Sequence, residues 1–268
     1  MKAKEFGLVI GAIWLLAAPL SAETLLIDFG LSTMTVTSAT STNNPGGIAP
    51  TSNADWNIVA APNTNTSFLY ADGTAASGVT LSEGGLAGAS STTEIDWATH
   101  PTAATLSGSI SANNFAAGEP VYGGIYDSGE SSVGVQISGL AAGTYNLFIV
   151  GDTTSSTSPG SETFYAGDVG SSLLTSTAYN YTSLSSTGTE SNTSISNSTW
   201  VLGTNYQELT VTINSSTDVL ALVAAGGGTT ALNMLEIVAV PEPRTWAELI
   251  FGGVTLFFII RRRRTWAV

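Results

Sequence analysis

The chain contains no cysteine. That excludes disulfide staples, thiol nucleophiles and cysteine-held metal, and leaves a domain of this size to be stabilised by its core alone. Positive charge is almost as scarce. The seven basic residues are Lys2, Lys4, Arg244 and Arg261–Arg264, so the body between the two ends has neither Lys nor Arg. Of the 20 acidic residues, Glu5, Glu242 and Glu248 lie in the ends, which leaves 17 in the body. Nucleic-acid binding is excluded, because it needs cations to displace counterions from phosphate. A phosphate or carboxylate substrate would find no arginine clamp. Lys or Arg ion pairs within the body are equally impossible, and self-repulsion favours a dispersed, soluble polyanion. There is a single histidine, His100, so a zinc site built from two imidazoles is excluded, and a nucleophile–histidine triad would have to use that one residue. The body also lacks any sustained 3.6-residue apolar periodicity with helix caps.

The hydrophobic runs that exist sit at the two ends. Met1–Lys4 carries positive charge, Phe6–Ala18 is apolar, and Leu20-Ser21-Ala22 is a small-residue exit, the pattern of a secretory signal peptide cleaved after Ala22. Residues 1–22 are therefore expected to be removed after passage through the Sec translocon. Residues 23–239 are expected to form one domain, and residues 240–264 a sorting segment.

That last segment has three parts in a fixed order. Pro241-Glu242-Pro243 cannot be helix or central strand, because proline fixes its own φ and pushes the preceding residue towards extended backbone. An apolar stretch follows, expected to form a transmembrane helix over 245–260, since helix satisfies its own backbone in lipid. Arg261, Arg262, Arg263 and Arg264 then hold the end in the cytoplasm. Together these features resemble the PEP-CTERM sorting signal of Gram-negative bacteria that make extracellular polysaccharide. The resemblance implies recognition by an exosortase, a membrane-embedded cysteine transpeptidase, with cleavage near Pro-Glu-Pro and loss of the tail.

The body reads as short β-branched or alternating runs separated by Gly, Asn, Ser and Thr. Strands are expected at Thr24–Gly30, Asn57–Ala60, Phe68–Tyr70, Val79–Ser82, Thr105–Ile110, Val121–Tyr126, Val133–Ile137, Tyr145–Val150, Ser161–Ala166, Trp200–Leu202, Glu208–Ile213, Val219–Ala224 and Ala231–Val240. About a dozen strands with turns every 8–20 residues predict an all-β chain folded as a single β-sandwich. In Ile137–Tyr145, Leu140 is expected to plug one end, Gly143 to make the turn and Tyr145 to start the next strand. This corner resembles those of fibronectin-type and carbohydrate-binding jelly-roll modules. Ala231–Val238 resembles the last strand of galactose-binding-like jelly rolls, which pairs with the first. Thr182–Thr199 holds 12 Ser or Thr in 18 residues and reads as a long solvated loop.

Candidate chemistry is thin. The resemblance to bacterial jelly rolls implies a structural calcium near the first and last strands, with Asp28 and Glu236 as its carboxylates, since calcium takes hard oxygen ligands. Trp56, Trp97 and Trp200 lie in or beside expected loops and are candidate sugar contacts, because exposed aromatics make stacking platforms. Paired carboxylates among Asp28, Asp96, Asp127, Glu130 and Glu236 could in principle hydrolyse a glycosidic bond. The sequence as a whole favours a non-enzymatic, exported protein of the cell surface or extracellular matrix, bound transiently to the membrane. The runner-up is a carbohydrate-binding module of a polysaccharide matrix or biofilm.

Overall fold

A computed structural model describes residues 23–30, 44–48, 56–59, 67–86, 93–99, 101–105, 123–127, 131–151, 161–191, 200–226 and 230–241. Glu23–Val240 forms one compact unit, and it is all-β. In chain order its strands are β1 (Thr24–Phe29), β2 (Trp56–Val59), β3 (Thr80–Leu86), β4 (Glu94–Asp96), β5 (Thr102–Thr105), β6 (Gly123–Asp127), β7 (Ser131–Ser138) and β8 (Gly143–Val150). They continue with β9 (Glu162–Asp168), β10 (Tyr179–Asn180), β11 (Ser186–Glu190), β12 (Gln207–Ile213), β13 (Leu220–Gly226), β14 (Thr230–Leu232) and β15 (Met234–Val240). The helical piece among the described residues is one 3-10 turn, Tyr181–Ser183. No helix among them is long and apolar enough to cross a membrane.

The strands build a five-stranded sheet, β12-β8-β15-β1-β2, and a seven-stranded sheet, β10-β4-β3-β7-β13-β9-β11. A third, β14-β6-β5, has three strands. The two large sheets pack face to face over one core. Leu25, Ile27 and Phe29 of β1, Leu147 and Ile149 of β8, and Leu235 and Ile237 of β15 meet Val133, Val135 and Ile137 of β7, Leu222 of β13 and Phe164 of β9. Alternation explains which residues turn inward, because successive side chains in a strand point to opposite faces. On edge strand β12, Leu209, Val211 and Ile213 are buried while Glu208, Thr210 and Thr212 are exposed. The closing strand β15 pairs antiparallel with β1 on one side and β8 on the other.

Central strand β7 is buried on both faces from Ser132 to Ile137. Its outer side is covered by a second apolar layer that includes Ile95, Trp97, Tyr181, Ala221 and Val223. The corner after β7 uses different residues from those expected. Gly139 takes the left-handed conformation (φ 81°), while Gly143 already pairs with Ile213 in β8. Leu140 is buried, and the Tyr145 hydroxyl donates to the Ala141 carbonyl at 2.8 Å.

Two further expectations are corrected. Ser186–Glu190, inside the supposed loop, is a full edge strand paired with β9. Its backbone satisfies that ladder although the side chains are mostly polar, so composition alone misjudged it. Trp200–Leu202 is not a strand but leads into a tight turn closed by a single bridge from Leu202 to Tyr206. β5 runs from Thr102 to Thr105, and residues 106–110 of the strand expected from Thr105 lie outside the described residues. Ala22, His100, Glu130, Glu242, Pro243, the 245–260 span and Arg261–Arg264 lie outside the described residues.

Candidate functional site

The register of the five-stranded sheet places two expected site residues on its outer face. One row across the sheet reads Glu208, Phe148, Glu236, Leu26, Trp56, and the next reads Val150, Met234, Asp28, Ile58. Asp28 and Glu236 are therefore diagonal neighbours on adjacent strands, with Cα atoms about 7–8 Å apart. A short loop comes down on this face. Asn44 closes it, its side-chain amide donating to the Ile48 carbonyl (2.7 Å) and its side-chain oxygen accepting from the Ile48 N–H (2.8 Å). Pro45 presets the turn whose Gly47 N–H donates back to the Asn44 carbonyl at 3.1 Å. Gly46 then donates its N–H to Glu236 Oε2 at 3.2 Å. Any Cβ at Gly46 would collide with that same oxygen and crowd the Phe148 ring. The loop can lie this close only because residue 46 is glycine.

Electrostatics set the state of the pair. Asp28 is 1 % exposed and Glu236 0 %. Among the described residues, neither oxygen of Asp28 accepts a hydrogen bond, nor does Glu236 Oε1, nor does the Trp56 indole N–H find an acceptor. Burial in an apolar layer of Leu26, Trp56, Val150 and Met234 penalises the charged forms. It pushes the Glu236 carboxyl up to about 8, against a smaller downward pull from the Gly46 N–H. Burial likewise raises Asp28 well above the ordinary carboxylate range. The Tyr206 hydroxyl is raised by burial and then by Glu208 and Glu236. At about 8, Glu236 is mostly a protonated acid near neutral pH rather than the ionised ligand calcium prefers, and burial shifts Asp28 in the same direction. Among the described residues no three side chains of metal-binding type gather anywhere. Two carboxyls fall short of the roughly six to eight oxygens of a calcium shell.

The three tryptophans do not form one platform. Trp56 (4 % exposed) and Trp97 (6 %) are buried, on the outer faces of opposite sheets. Trp97 lies tilted against Tyr179 with ring centroids 6.4 Å apart, and fits because Gly84 below it has no side chain. Trp200 alone is half-buried, packed edge-on to Tyr206 at 6.3 Å. Tyr206 in turn leans on Phe148 at 6.4 Å. Beside Trp200, Val201 and Leu202 are exposed. The outer face of the five-stranded sheet thus gathers Asp28, Glu236, Trp56 and Trp200, and leaves Trp97 out.

Sequence reasoning missed three further buried acids, Glu83, Glu162 and Glu190, all on the inner side of the seven-stranded sheet. Glu162 and Glu190 stand directly opposite each other across β9 and β11 and are 2 % and 0 % exposed. The signal available was alternation in Ser186-Thr187-Gly188-Thr189-Glu190, masked by the polar composition of the stretch. Buried this deeply, the pair offers no approach to a polysaccharide chain. Asp96 is occupied locally, accepting from the Ala98 N–H (2.7 Å) and the Thr99 hydroxyl (2.8 Å).

At the C-terminal border, β15 stops at Val240 and Pro241 is exposed. No family model matches the chain, and no curated protein matches it at a significant level.

Proposed function

We propose that this chain is an exported, non-enzymatic protein of the cell surface or extracellular matrix, freed from a transient membrane anchor by an exosortase. The observation that carries this reading is the ordered run Pro241-Glu242-Pro243, apolar span and Arg261–Arg264, beginning immediately where the last strand ends. A transpeptidase needs an extended, accessible peptide. A proline that cannot donate to a β-ladder and stands exposed at position 241 supports such a substrate. The arginine block serves transit, and cleavage leaves a polyanion without a membrane-binding end. The finer fold reading is a galactose-binding-like jelly roll, supported by the pairing of the closing strand with the first.

The test is mass spectrometry of the protein recovered from a host that carries an exosortase and from the same host with that gene deleted. The expected result is a new C-terminus near Pro241–Pro243 in the first host and an intact tail in the second. An intact tail in both would overturn the reading.

A second reading, binding of extracellular polysaccharide, is favoured by one observation. Trp200 is only half-buried and stands beside exposed Val201 and Leu202, and sugar stacking needs an accessible aromatic residue.

A further inference from the structure

The Glu162–Glu190 pair sits where the three sheets of the domain meet. In the antiparallel ladder of β9 and β11 the two residues are direct partners, which puts their Cβ atoms about 5 Å apart on one face. On the other side of β9, Glu162 pairs with Gly226 of β13. Glu162 Oε1 accepts the Ala231 N–H of β14 at 2.9 Å in a fully buried bond. Its other oxygen lies against Gly151, at the end of β8, so closely that no Cβ could be added there. One carboxyl therefore touches the five-stranded sheet, the seven-stranded sheet and the small third sheet together.

Two carboxylates this close and this dry cannot both ionise without a large penalty, and the usual outcome is one proton held by the pair. Residues 23–240 contain no Lys or Arg to offset a second charge. The neighbours Gly151, Gly226, Thr230, Ala231 and Gln207 add no titratable group. Among the described side chains, the other acid on the inner face of the seven-stranded sheet is Glu83 of β3, which would add negative charge; the ladder of β14 and β6 sets Asp127 opposite Thr230.

We infer that Glu162 and Glu190 share a single proton and act as a pH-sensitive clasp. While the proton is held, the clasp fastens edge strand β11 and strand β14 to the body of the sandwich. When the proton is lost, repulsion drives the carboxylates towards water and both strands loosen. This inference is independent of the sorting tail, because every residue in it belongs to the folded unit.

The experiment combines carboxyl NMR of the full chain, labelled with carbon-13 at glutamate, with amide hydrogen exchange over the same pH series. One carboxyl of the pair is expected to stay protonated well above the ordinary glutamate range. Between the ordinary glutamate range and the pH of its release, protection of the Ala231 and β11 amides should fall about tenfold per pH unit, as expected for opening coupled to one proton, and level off above it. Glu190→Gln should flatten that dependence, while the Gly46 amide on the opposite side of the five-stranded sheet keeps its wild-type behaviour. The clasp is overturned if both carboxyls titrate together in the ordinary range, or if Glu190→Gln keeps the wild-type pH dependence at Ala231. Should that variant fail to fold, the titration of the wild-type chain decides alone.

Discussion

Replacing Glu236 with glutamine keeps the shape of the side chain and an oxygen for the Gly46 N–H, but removes the proton that titrates. Burial raises this carboxyl from 4.5 to about 8 in the folded chain. The folded state therefore binds a proton more tightly than the unfolded state does. Its contribution to stability is complete below about pH 4.5, declines as pH rises, and is fully lost near pH 8. At about 1.4 kcal/mol per unit, the loss reaches roughly 3 kcal/mol at pH 7 and roughly 5 kcal/mol at pH 8. Against a typical total of about 5–15 kcal/mol, one side chain then decides whether the domain is comfortably or barely folded. Urea unfolding followed by tryptophan fluorescence, at pH 4.5, 6, 7 and 8, measures the effect for both proteins. The buried amide introduces a penalty of its own, about 1–3 kcal/mol if left poorly paired. That penalty does not depend on pH, so the informative quantity is the gap between the two curves. Glu236→Gln is expected to gain on the wild type by about 3 kcal/mol between pH 4.5 and 7. Asp28, raised in the same direction, keeps a residual slope in both proteins. Parallel curves across that window would refute the burial argument and imply that water or an ion reaches Glu236.

Two other substitutions probe the same face. Gly46→Ala forces a Cβ into Glu236 Oε2 and the Phe148 ring. It should destabilise the domain by about 1–3 kcal/mol through overpacking, with a lower melting temperature in calorimetry. Trp200→Ala should abolish retention on polysaccharide affinity gels if this half-buried tryptophan is the sugar contact. Trp97→Ala, by contrast, should lower stability by about 3–5 kcal/mol, because Trp97 is core. Equal gel retention of wild type and Trp200→Ala would remove the aromatic basis for sugar binding.

Much of the fold is legible in the sequence. The β1, β8, β12, β13 and β15 stretches carry enough apolar or β-branched residues that a strand is the state that buries them. Strand β11 was not legible, since Ser186-Thr187-Gly188-Thr189-Glu190 is as polar as a loop. It becomes a strand because β9 offers an unpaired edge and its own Glu190 finds the interior. The tryptophans show the same limit. Local sequence places Trp56 and Trp97 near turns, yet apolar layers on the outer faces of the two large sheets bury both.

The sequence by itself determined the charge character of the protein and the layout of its ends. With no Lys or Arg between Lys4 and Arg244, no lysine or arginine of the body can offset an acid, whatever the fold. The Pro-Glu-Pro, apolar and arginine segments keep their order on any backbone. Tertiary structure alone decided which acids lose water. Asp28 and Glu236 are raised above the ordinary carboxylate range because an apolar layer buries them, with the Asn44–Ile48 loop lying against Glu236. Glu162 and Glu190 became a pair because β11 folds back onto β9 in one register. Composition counts charges, but burial and register set what each charge costs.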